Sequence, residues 1–330
     1  MSEKTTFTGS VLVHPDELDA VWIECCRALG IPRIGLHPVG GPHADESLAD
    51  LLARMEDPDY RAILDAAADA GLEIEYEMHA ARYFLPLSVL EAHPDWQRVN
   101  ENGERTTELN FCVTNRDALD YYAQSAVRTA KKLYRSTHRY FFWMDDAKSG
   151  GCHCPACSAY SASDQQLLVM NRVLAALREE IPDATLAYLG YVDCLVPPEK
   201  VMPAEGIFLE YAPIERDFHA PLASQDAERN RDQNAHLAEL LKLFGSDTAK
   251  VLDYWLDNSL FSGWTKPPKP FCEDKAVVAA DFAYYRSLGF TDISTFACYL
   301  GPDYIALHGT PDITGFAAAL RGLRDGVCEA

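Results

Sequence analysis

The feature that most constrains this 330-residue chain is a repeated alternation of short apolar runs with period two and longer segments with period 3.6. Strands and helices that alternate in this way favour a parallel sheet whose strands are joined by helical crossovers. Eight apolar runs occur, the number that closes a (β/α)8, or TIM, barrel. We therefore predict an α/β fold with a single barrel domain over residues 1–330. The predicted strands are 9–13, 33–37, 72–79, 138–144, 185–191, 207–211, 250–256 and 292–298.

Between these strands, amphipathic segments with capping residues predict the helices. Residues 80–115 fit no such unit and are predicted to be a long insertion after strand three, although the apolar run 109–113 could instead be a barrel strand. The crossover from strand five to strand six, which contains Pro197-Pro198, is short. The predicted helices are one that opens at His14-Pro15-Asp16 and those at 57–70, 115–134, 163–180, 232–244, 274–288 and 312–323.

The charge balance of the chain bears on its partners. Fifty acidic residues against 29 basic ones give a formal net charge of −21, which repels nucleic acid and anionic membranes. The sequence contains no apolar run long enough to cross a bilayer and no apolar signal segment at its start. We therefore expect a cytoplasmic protein with neither nucleic-acid nor membrane partners, and the oligomeric state stays open.

Barrel enzymes carry their sites where the strands end, so the strand-exit residues are the candidate site. Carboxylates, Trp and Tyr are frequent there. Aromatic faces stack on the C–H faces of a sugar and carboxylates bind its hydroxyls, so we predict a small saccharide or glycoside as ligand. Tyr191 lies at the exit of strand five. The predicted substrate-binding residues are His37, Glu77, His79, Trp143, Tyr188, Tyr211, Tyr254, Trp255, Asp257, Asn258 and Tyr299.

The sharpest local signal is the pair Asp145-Asp146, which directly follows the apolar and aromatic fourth strand. Two adjacent carboxylates cannot both ionise without cost, so one pKa is expected to rise and that group to act as an acid near neutral pH. The alternative is structural, with one carboxylate capping the next turn or pairing with Lys148. We predict that both are catalytic.

Several short motifs between about residues 70 and 260 occur together in an order that resembles the glycoside-hydrolase-like barrels of unknown-function family 4838. The architecture is also similar to family 20 hexosaminidases and family 84 N-acetylglucosaminidases. That similarity implies that Asp146 is the general acid/base and that Asp145 orients a substrate acetamido group acting as internal nucleophile. The motifs are His93-Pro94-Asp95-Trp96, Asn102-Gly103, Asn110 to Asn115, Asp145-Asp146, Cys152 to Cys157, Tyr188, Pro197-Pro198 and Glu210 to Pro213, with Arg216 and His219.

A mechanism with two carboxylates would need a second acidic group about 5 to 5.5 Å from the acid for retention, or about 6.5 to 9.5 Å for inversion. Glu210, Asp257 and Glu77 are the candidates on other strands. Each of them could equally be a supporting or ion-paired barrel residue. We predict Glu210 as the third catalytic residue.

The loop after the acidic pair contains Cys152, Cys154 and Cys157, three thiols in close succession. They could supply three ligands of a structural zinc ion, completed by His153 or by a distant residue such as Cys194. Free thiols, or oxidised ones in an oxidising compartment, are the alternative. No dinucleotide-binding or phosphate-binding glycine motif is present, so no nucleotide cofactor is expected.

The leading hypothesis is therefore a glycoside hydrolase or related carbohydrate-active enzyme that requires no cofactor. Two other classes remain open. One is a zinc-dependent barrel enzyme in which the Cys loop activates a thiol for methyl transfer. The other is a barrel that binds sugar without cleaving it.

Overall fold

The computed structural model describes residues 7–325 and contains a closed barrel of eight parallel strands. All eight predicted barrel strands are confirmed, most of them shorter than predicted, and the fourth is β6. Around the barrel the order is β1, β2, β3, β6, β7, β8, β9 and β10, with β10 beside β1. The strands are β1 (Ser10–Val13), β2 (Arg33–Leu36), β3 (Glu73–His79), β4 (Gln97–Val99), β5 (Arg105–Phe111), β6 (Arg139–Trp143), β7 (Thr185–Gly190), β8 (Ile207–Tyr211), β9 (Lys250–Asp253) and β10 (Asp292–Phe296).

The insertion after β3 is also confirmed. Residues 109–113 include the end of β5, which pairs antiparallel with β4 outside the barrel. The hairpin closes through Asn100, whose N–H donates to the Glu104 carbonyl at 2.8 Å, and Gly103 supplies the positive φ of 82° that this turn requires. The pairing register shifts between Gln97 and Arg98, as in a β-bulge.

Each predicted helical segment contains a helix, with some differences. The first helix begins at Ala20, because Asp19 and not the His14-Pro15-Asp16 segment caps it. The predicted helix 232–244 is two helices. Five further helices were not predicted: Ala44–Arg54, Ala81–Phe84, Leu87–Ala92, Asn258–Phe261 and Pro302–His308. The helices are α1 (Ala20–Leu29), α2 (Ala44–Arg54), α3 (Pro58–Asp69), α4 (Ala81–Phe84), α5 (Leu87–Ala92), α6 (Arg116–Ala130), α7 (Ala162–Glu180), α8 (Glu228–Asn234), α9 (Leu237–Phe244), α10 (Asn258–Phe261), α11 (Lys275–Ser287), α12 (Pro302–His308) and α13 (Thr314–Asp325).

The connection from β7 to β8 is a crossover without an α-helix among residues 191–206, all of which are described. This short connection contains a single 3-10 turn, Val192–Leu195. Within residues 7–325, no helix combines the length and the apolar character needed to cross a bilayer.

By their internal contacts, the residues form two compact units, which are described separately. The first contains the described residues up to His37, then Ala62–Glu75 and everything from Leu209 onward. The second contains Pro38–Arg61 and Tyr76–Phe208. The acidic pair and the Cys loop both belong to the second unit.

In the first unit, charged side chains on the barrel strands are buried against one another. Lys250 on β9 has its Nζ 3.3 Å from Glu210 Oε1 and 3.6 Å from Glu75 Oε2. Arg33 on β2 lies 3.4 Å from Glu75 and 3.0 Å from Asp292. Buried acids and bases offset each other's desolvation cost only as pairs, so removing any one of these groups would leave an uncompensated buried charge.

A second buried ionic cluster surrounds Arg216. Its guanidinium lies 2.7 Å from Asp253 and 2.6 Å from Asp281, and all three side chains are fully buried. The Tyr285 hydroxyl donates to Asp253 and the Trp255 indole N–H donates to Asp281. Every element that contributes to this cluster is therefore tied to the same guanidinium.

We predict that Arg216→Met lowers the free energy of unfolding by about 3 to 5 kcal/mol, because it leaves two carboxylates buried without their cation. Urea denaturation followed by circular dichroism measures this loss. Arg27→Met, which breaks an exposed pair with Glu24, is the matched control and should leave the free energy of unfolding nearly unchanged, because exposed ion pairs contribute little to stability. Equal effects of the two substitutions would contradict the prediction.

Candidate functional site

The acidic pair Asp145-Asp146 follows β6, separated only by Met144 from the last strand position, Trp143. In the second unit β6 pairs in parallel with β3 on one side and β7 on the other. Because parallel strands end at the same edge, the ends of these three strands bring His79 and Tyr191 next to the pair. The candidate site at this strand exit is thus formed by residues at the ends of three neighbouring strands.

Asp146 is the more accessible of the two acids, with 34% of its side chain exposed. Its Oδ1 accepts a hydrogen bond of 2.8 Å from the Tyr191 hydroxyl and lies 3.9 Å from Nε2 of His79. The other ring nitrogen of His79, Nδ1, lies 2.7 Å from the Met144 carbonyl. His79 is therefore oriented by the backbone that follows β6, and one oxygen of Asp146 is held while the side chain still reaches solvent.

Asp145 is nearly buried, with 5% of its side chain exposed. Burial raises the pKa of Asp145 from its ordinary value of 3.8 to about 6, and the guanidinium of Arg82 at 3.8 Å counters this rise. Among residues 7–325, none donates a hydrogen bond to its Oδ2. We expected repulsion within the pair to raise the pKa of the acid, but desolvation is the larger cause and Asp146 contributes less. The raised pKa is that of Asp145, whereas the family similarity assigns the acid role to Asp146.

Gly40 packs against this site. A Cβ atom at residue 40 would lie 2.9 Å from Cδ2 of His79 and 3.2 Å from Oδ2 of Asp146. Any larger residue there would push one of these side chains aside. The loop after β2 thus packs against His79 and Asp146 where these two side chains meet.

The inserted hairpin holds the loop that carries the pair. Asn110 on β5 accepts the backbone N–H of Asp145 at 2.9 Å, and its amide donates to the Gly150 carbonyl at 3.1 Å. The buried Arg98 on β4 donates to the carbonyls of Ser149 and Gly151, both at 2.7 Å. The sequence places Asn110 in a motif, but its contact with Asp145 follows only from the fold.

A pocket opens beside the pair within the second unit. Asp145 contributes to its wall, together with the ring of His79 and the Tyr191 side chain. The pocket also reaches the loop 147–151 and the start of α7. Its polar lining residues include His79, Asn110, Asp145, Gln165, Gln166 and Tyr191.

Four cysteines meet next to this loop: Cys152, Cys154 and Cys157 of the predicted set, and Cys112, which directly follows β5. Their sulfur atoms all lie within 4.8 Å of one another, and all four residues are buried. The predicted fourth ligands, His153 and Cys194, do not belong to the group. Cys112 was missed because it lies far from the other three in the sequence, although it belongs to the Asn110–Asn115 motif.

The other predicted residues of the second unit are buried. Glu77 is inaccessible to solvent, and Trp143 makes an edge contact with the ring of His79 at 5.1 Å. The Tyr188 hydroxyl donates to the Cys194 carbonyl at 3.0 Å. Trp143 thus packs against His79, which lies beside the acidic pair.

In the first unit, three predicted site residues are taken up by internal contacts. Glu210 is fully buried against Lys250, so its placement lends no support to the predicted catalytic role. The Tyr211 hydroxyl donates to the Gln233 carbonyl at 3.0 Å. Trp255 binds Asp281, yet it also lines an aromatic pocket of this unit, whose other lining residues include Phe218, His219, Asn258, Phe261 and Phe271.

The remaining predicted residues cluster where β1, β2, β9 and β10 end. Asp257 caps α10 by accepting N–H groups of Ser259 and Leu260, and burial raises its pKa. The Asn258 amide donates to the Lys269 carbonyl at 2.9 Å.

Tyr254 stacks on Phe296, and the His37 ring meets Phe296 edge-on, both at 5.0 Å. Tyr299 is partly exposed and adopts a positive φ of 62°.

Sequence reasoning missed a buried group beside them, formed by His14, Glu17 and Cys298. Burial raises the pKa of Glu17 to about 7. Both Glu17 oxygens already accept backbone N–H groups, from His14 at 3.1 Å and Tyr299 at 2.8 Å. His14 Nδ1 lies 2.8 Å from the His37 carbonyl. These contacts fit a role in fixing the chain, and we assign no metal here.

Comparisons with known proteins bear on this site. The family model described as domain of unknown function DUF4838 matches residues 53–254. No curated protein sequence matches the chain significantly.

Solved structures are similar to the chain in fold. A family 5 xyloglucanase from Paenibacillus pabuli gives a TM-score of 0.54 at 13% identity, over 96% of this chain and 98% of that one. A β-galactosidase from the psychrophilic Marinomonas ef1 gives 0.52 at 14% identity, over 96% of this chain and 59% of that one. The pneumococcal virulence factor StrH gives 0.50 at 10% identity, over 98% and 85%. At these identities the similarity establishes the barrel fold and nothing further.

We predict that Asp145→Asn raises the melting temperature at about pH 7.5 more than at about pH 4. The unfolded chain releases this proton near pH 4 while the folded protein holds it to about pH 6, so ionisation lowers the free energy of unfolding as pH rises through that window. The loss amounts to up to about 3 kcal/mol. Calorimetry of wild type, Asp145→Asn and the exposed control Asp120→Asn tests this, and a gap that does not depend on pH would contradict it.

Proposed function

The chain belongs to the DUF4838 family, and we propose that it is a glycoside hydrolase with Asp146 as general acid/base and Asp145 as the group that orients the substrate. The observation that carries this proposal is the asymmetry of the pair. One carboxylate is held by Tyr191 and reaches solvent, and its neighbour is nearly buried with a pKa of about 6.

Asp146 has the placement that a proton donor to a glycosidic oxygen requires. It is accessible, and the Tyr191 hydroxyl fixes one of its oxygens. In the first step its proton passes to the leaving oxygen as the glycosidic C–O bond breaks. In the second step the resulting carboxylate takes a proton from the attacking water, which restores the acid.

Asp145 is suited to hold a polar group of the substrate. It lines the pocket and none of the described residues donates to its Oδ2. A 2-acetamido N–H is a donor of matching chemistry, and its carbonyl oxygen would then attack the anomeric carbon as the leaving group departs. This role requires Asp145 to be ionised. A 2-acetamido glycoside is therefore the substrate class we propose.

The proposal does not rest on the similar structures, whose identities to this chain are too low to transfer an activity. It rests on the acids at the end of β6 and on the pocket beside them. Glu77, Glu210 and Asp257, the candidates for a second carboxylate in a two-carboxylate mechanism, are all buried within their units. Their burial favours assistance by the substrate over a nucleophilic carboxylate.

We predict that Asp146→Asn lowers hydrolysis of the best substrate by about 100-fold or more, the size of a lost general acid. A panel of 4-nitrophenyl α- and β-glycosides, with and without a 2-acetamido group, supplies the substrate. Asp120→Asn, an exposed carboxylate of the same unit, should retain full activity. Retained turnover in Asp146→Asn would overturn the assignment, and calorimetric binding of sugars without turnover in the wild type would make the protein a sugar-binding barrel.

We further predict that kcat/KM falls as pH drops through about 6, because protonated Asp145 has lost the negative charge that stabilises the acetamido N–H as its carbonyl oxygen attacks the anomeric carbon. In Asp145→Asn this acidic limb should disappear along with most of the activity. A rate that instead falls as pH rises through about 6 would show that Asp145 is the proton donor. Cleavage restricted to glycosides without an acetamido group would overturn the orienting role but not the hydrolase.

A further inference from the structure

We propose that Cys112, Cys152, Cys154 and Cys157 bind one Zn²⁺ ion in a closed structural site. This inference does not depend on the proposed hydrolase activity. It rests on the arrangement of the four sulfur atoms, on the backbone groups directed at them and on their burial.

The sulfur positions match a tetrahedral thiolate site. Zinc–sulfur bonds of about 2.3 Å place the corners of a tetrahedron about 3.8 Å apart. Sγ of Cys112 lies 3.7 Å from that of Cys154 and 3.8 Å from that of Cys157. A disulfide would need about 2.05 Å, and all four residues are free thiols.

Backbone N–H groups point at two of the sulfurs. The Cys157 N–H lies 3.4 Å from Sγ of Cys154, across the Cys-x-x-Cys step, and the Val99 N–H lies 3.4 Å from Sγ of Cys152. Such donors stabilise the negative charge of thiolates that ligate a metal. Gln165 fixes the loop from behind, because its side chain accepts the Cys152 N–H and donates to the Cys152 carbonyl.

The site is closed. Four protein thiols complete the coordination of zinc, and at most 7% of any of the four residues is exposed. A catalytic zinc site keeps one position open for water or substrate. This geometry supports a structural ion, and it argues against the methyl-transfer enzyme that the Cys loop alone left open.

The ion would join two segments that are far apart in sequence. Cys112 directly follows β5 in the inserted hairpin, and the other three ligands lie in the loop that begins after Asp146. Asn110, which precedes Cys112 at the end of β5, accepts the backbone N–H of Asp145. Zinc at this point would hold the hairpin against the loop and so keep Asn110 in position beneath the acidic pair.

Elemental analysis of the full chain, purified under reducing conditions without added metal, tests the proposal. We expect one zinc per chain in the wild type and in Cys272→Ser, which removes an exposed cysteine outside the cluster. Cys112→Ser should lose most of the zinc. Because the wild-type stoichiometry needs no variant, a misfolded Cys112→Ser would leave the test intact.

Two further measurements use the wild-type protein. Replacement of zinc by Co²⁺ should give the intense visible absorption of tetrahedral cobalt thiolate, and removal of zinc by a chelator should lower the melting temperature, with recovery on adding Zn²⁺. Four titratable thiols with no bound zinc before or after its addition would overturn the proposal. So would iron in place of zinc. Neither outcome bears on hydrolysis, so this inference and the proposed function can fail separately.

Discussion

The conformation of the loop after β6 depends on the hairpin inserted after β3. In that loop Ser149 adopts a positive φ of 55°. Two side chains of the hairpin hold this loop. Arg98 donates to the Ser149 carbonyl, and Asn110 accepts the N–H of Asp145. A non-glycine residue in this backbone region persists only where surrounding contacts fix it. The inserted hairpin thus fixes the backbone that carries Asp145 and Asp146.

Asp145 differs in its partners from three buried acids of the first unit. In the first unit Glu210 lies against Lys250, and Asp253 and Asp281 share Arg216. Each of these carboxylates has a buried cation within about 3.3 Å, which is the arrangement that lets an acid be buried at little net cost. Asp145 instead has Arg82, at 3.8 Å and partly exposed. Glu17 and Asp257 also lack a buried cation, but they accept backbone N–H groups, whereas none of the described residues donates to Oδ2 of Asp145. This incomplete compensation makes Asp145 a candidate functional group.

How far the sequence could predict this molecule depends on the range of each interaction. The strands follow from local periodicity, and all eight were predictable. The role of Glu210 was not, because a period of two shows which face a residue occupies but not that Lys250 stands opposite it on the next strand. The sequence predicts that Asp257 is a carboxylate at the mouth of the barrel, but in the structure it caps α10. The raised pKa within the acidic pair was expected, but from repulsion, since sequence does not show which of two neighbours is buried.

The same limit explains why Cys112 was not predicted as the fourth member of the cysteine cluster. Its distance from the other three in the sequence also shows what it contributes. Cys152, Cys154 and Cys157 are close in sequence, so binding them alone would restrain only a short loop that Gln165 of α7 already holds. Cys112 lies on a different segment, and closing the long stretch of chain between it and the loop has a substantial entropic cost. In the site that we propose, the binding free energy of zinc held through Cys112 would offset this cost, next to the Asn110 contact. Zinc bound through Cys112 would therefore link the stability of the hairpin to the geometry of Asp145.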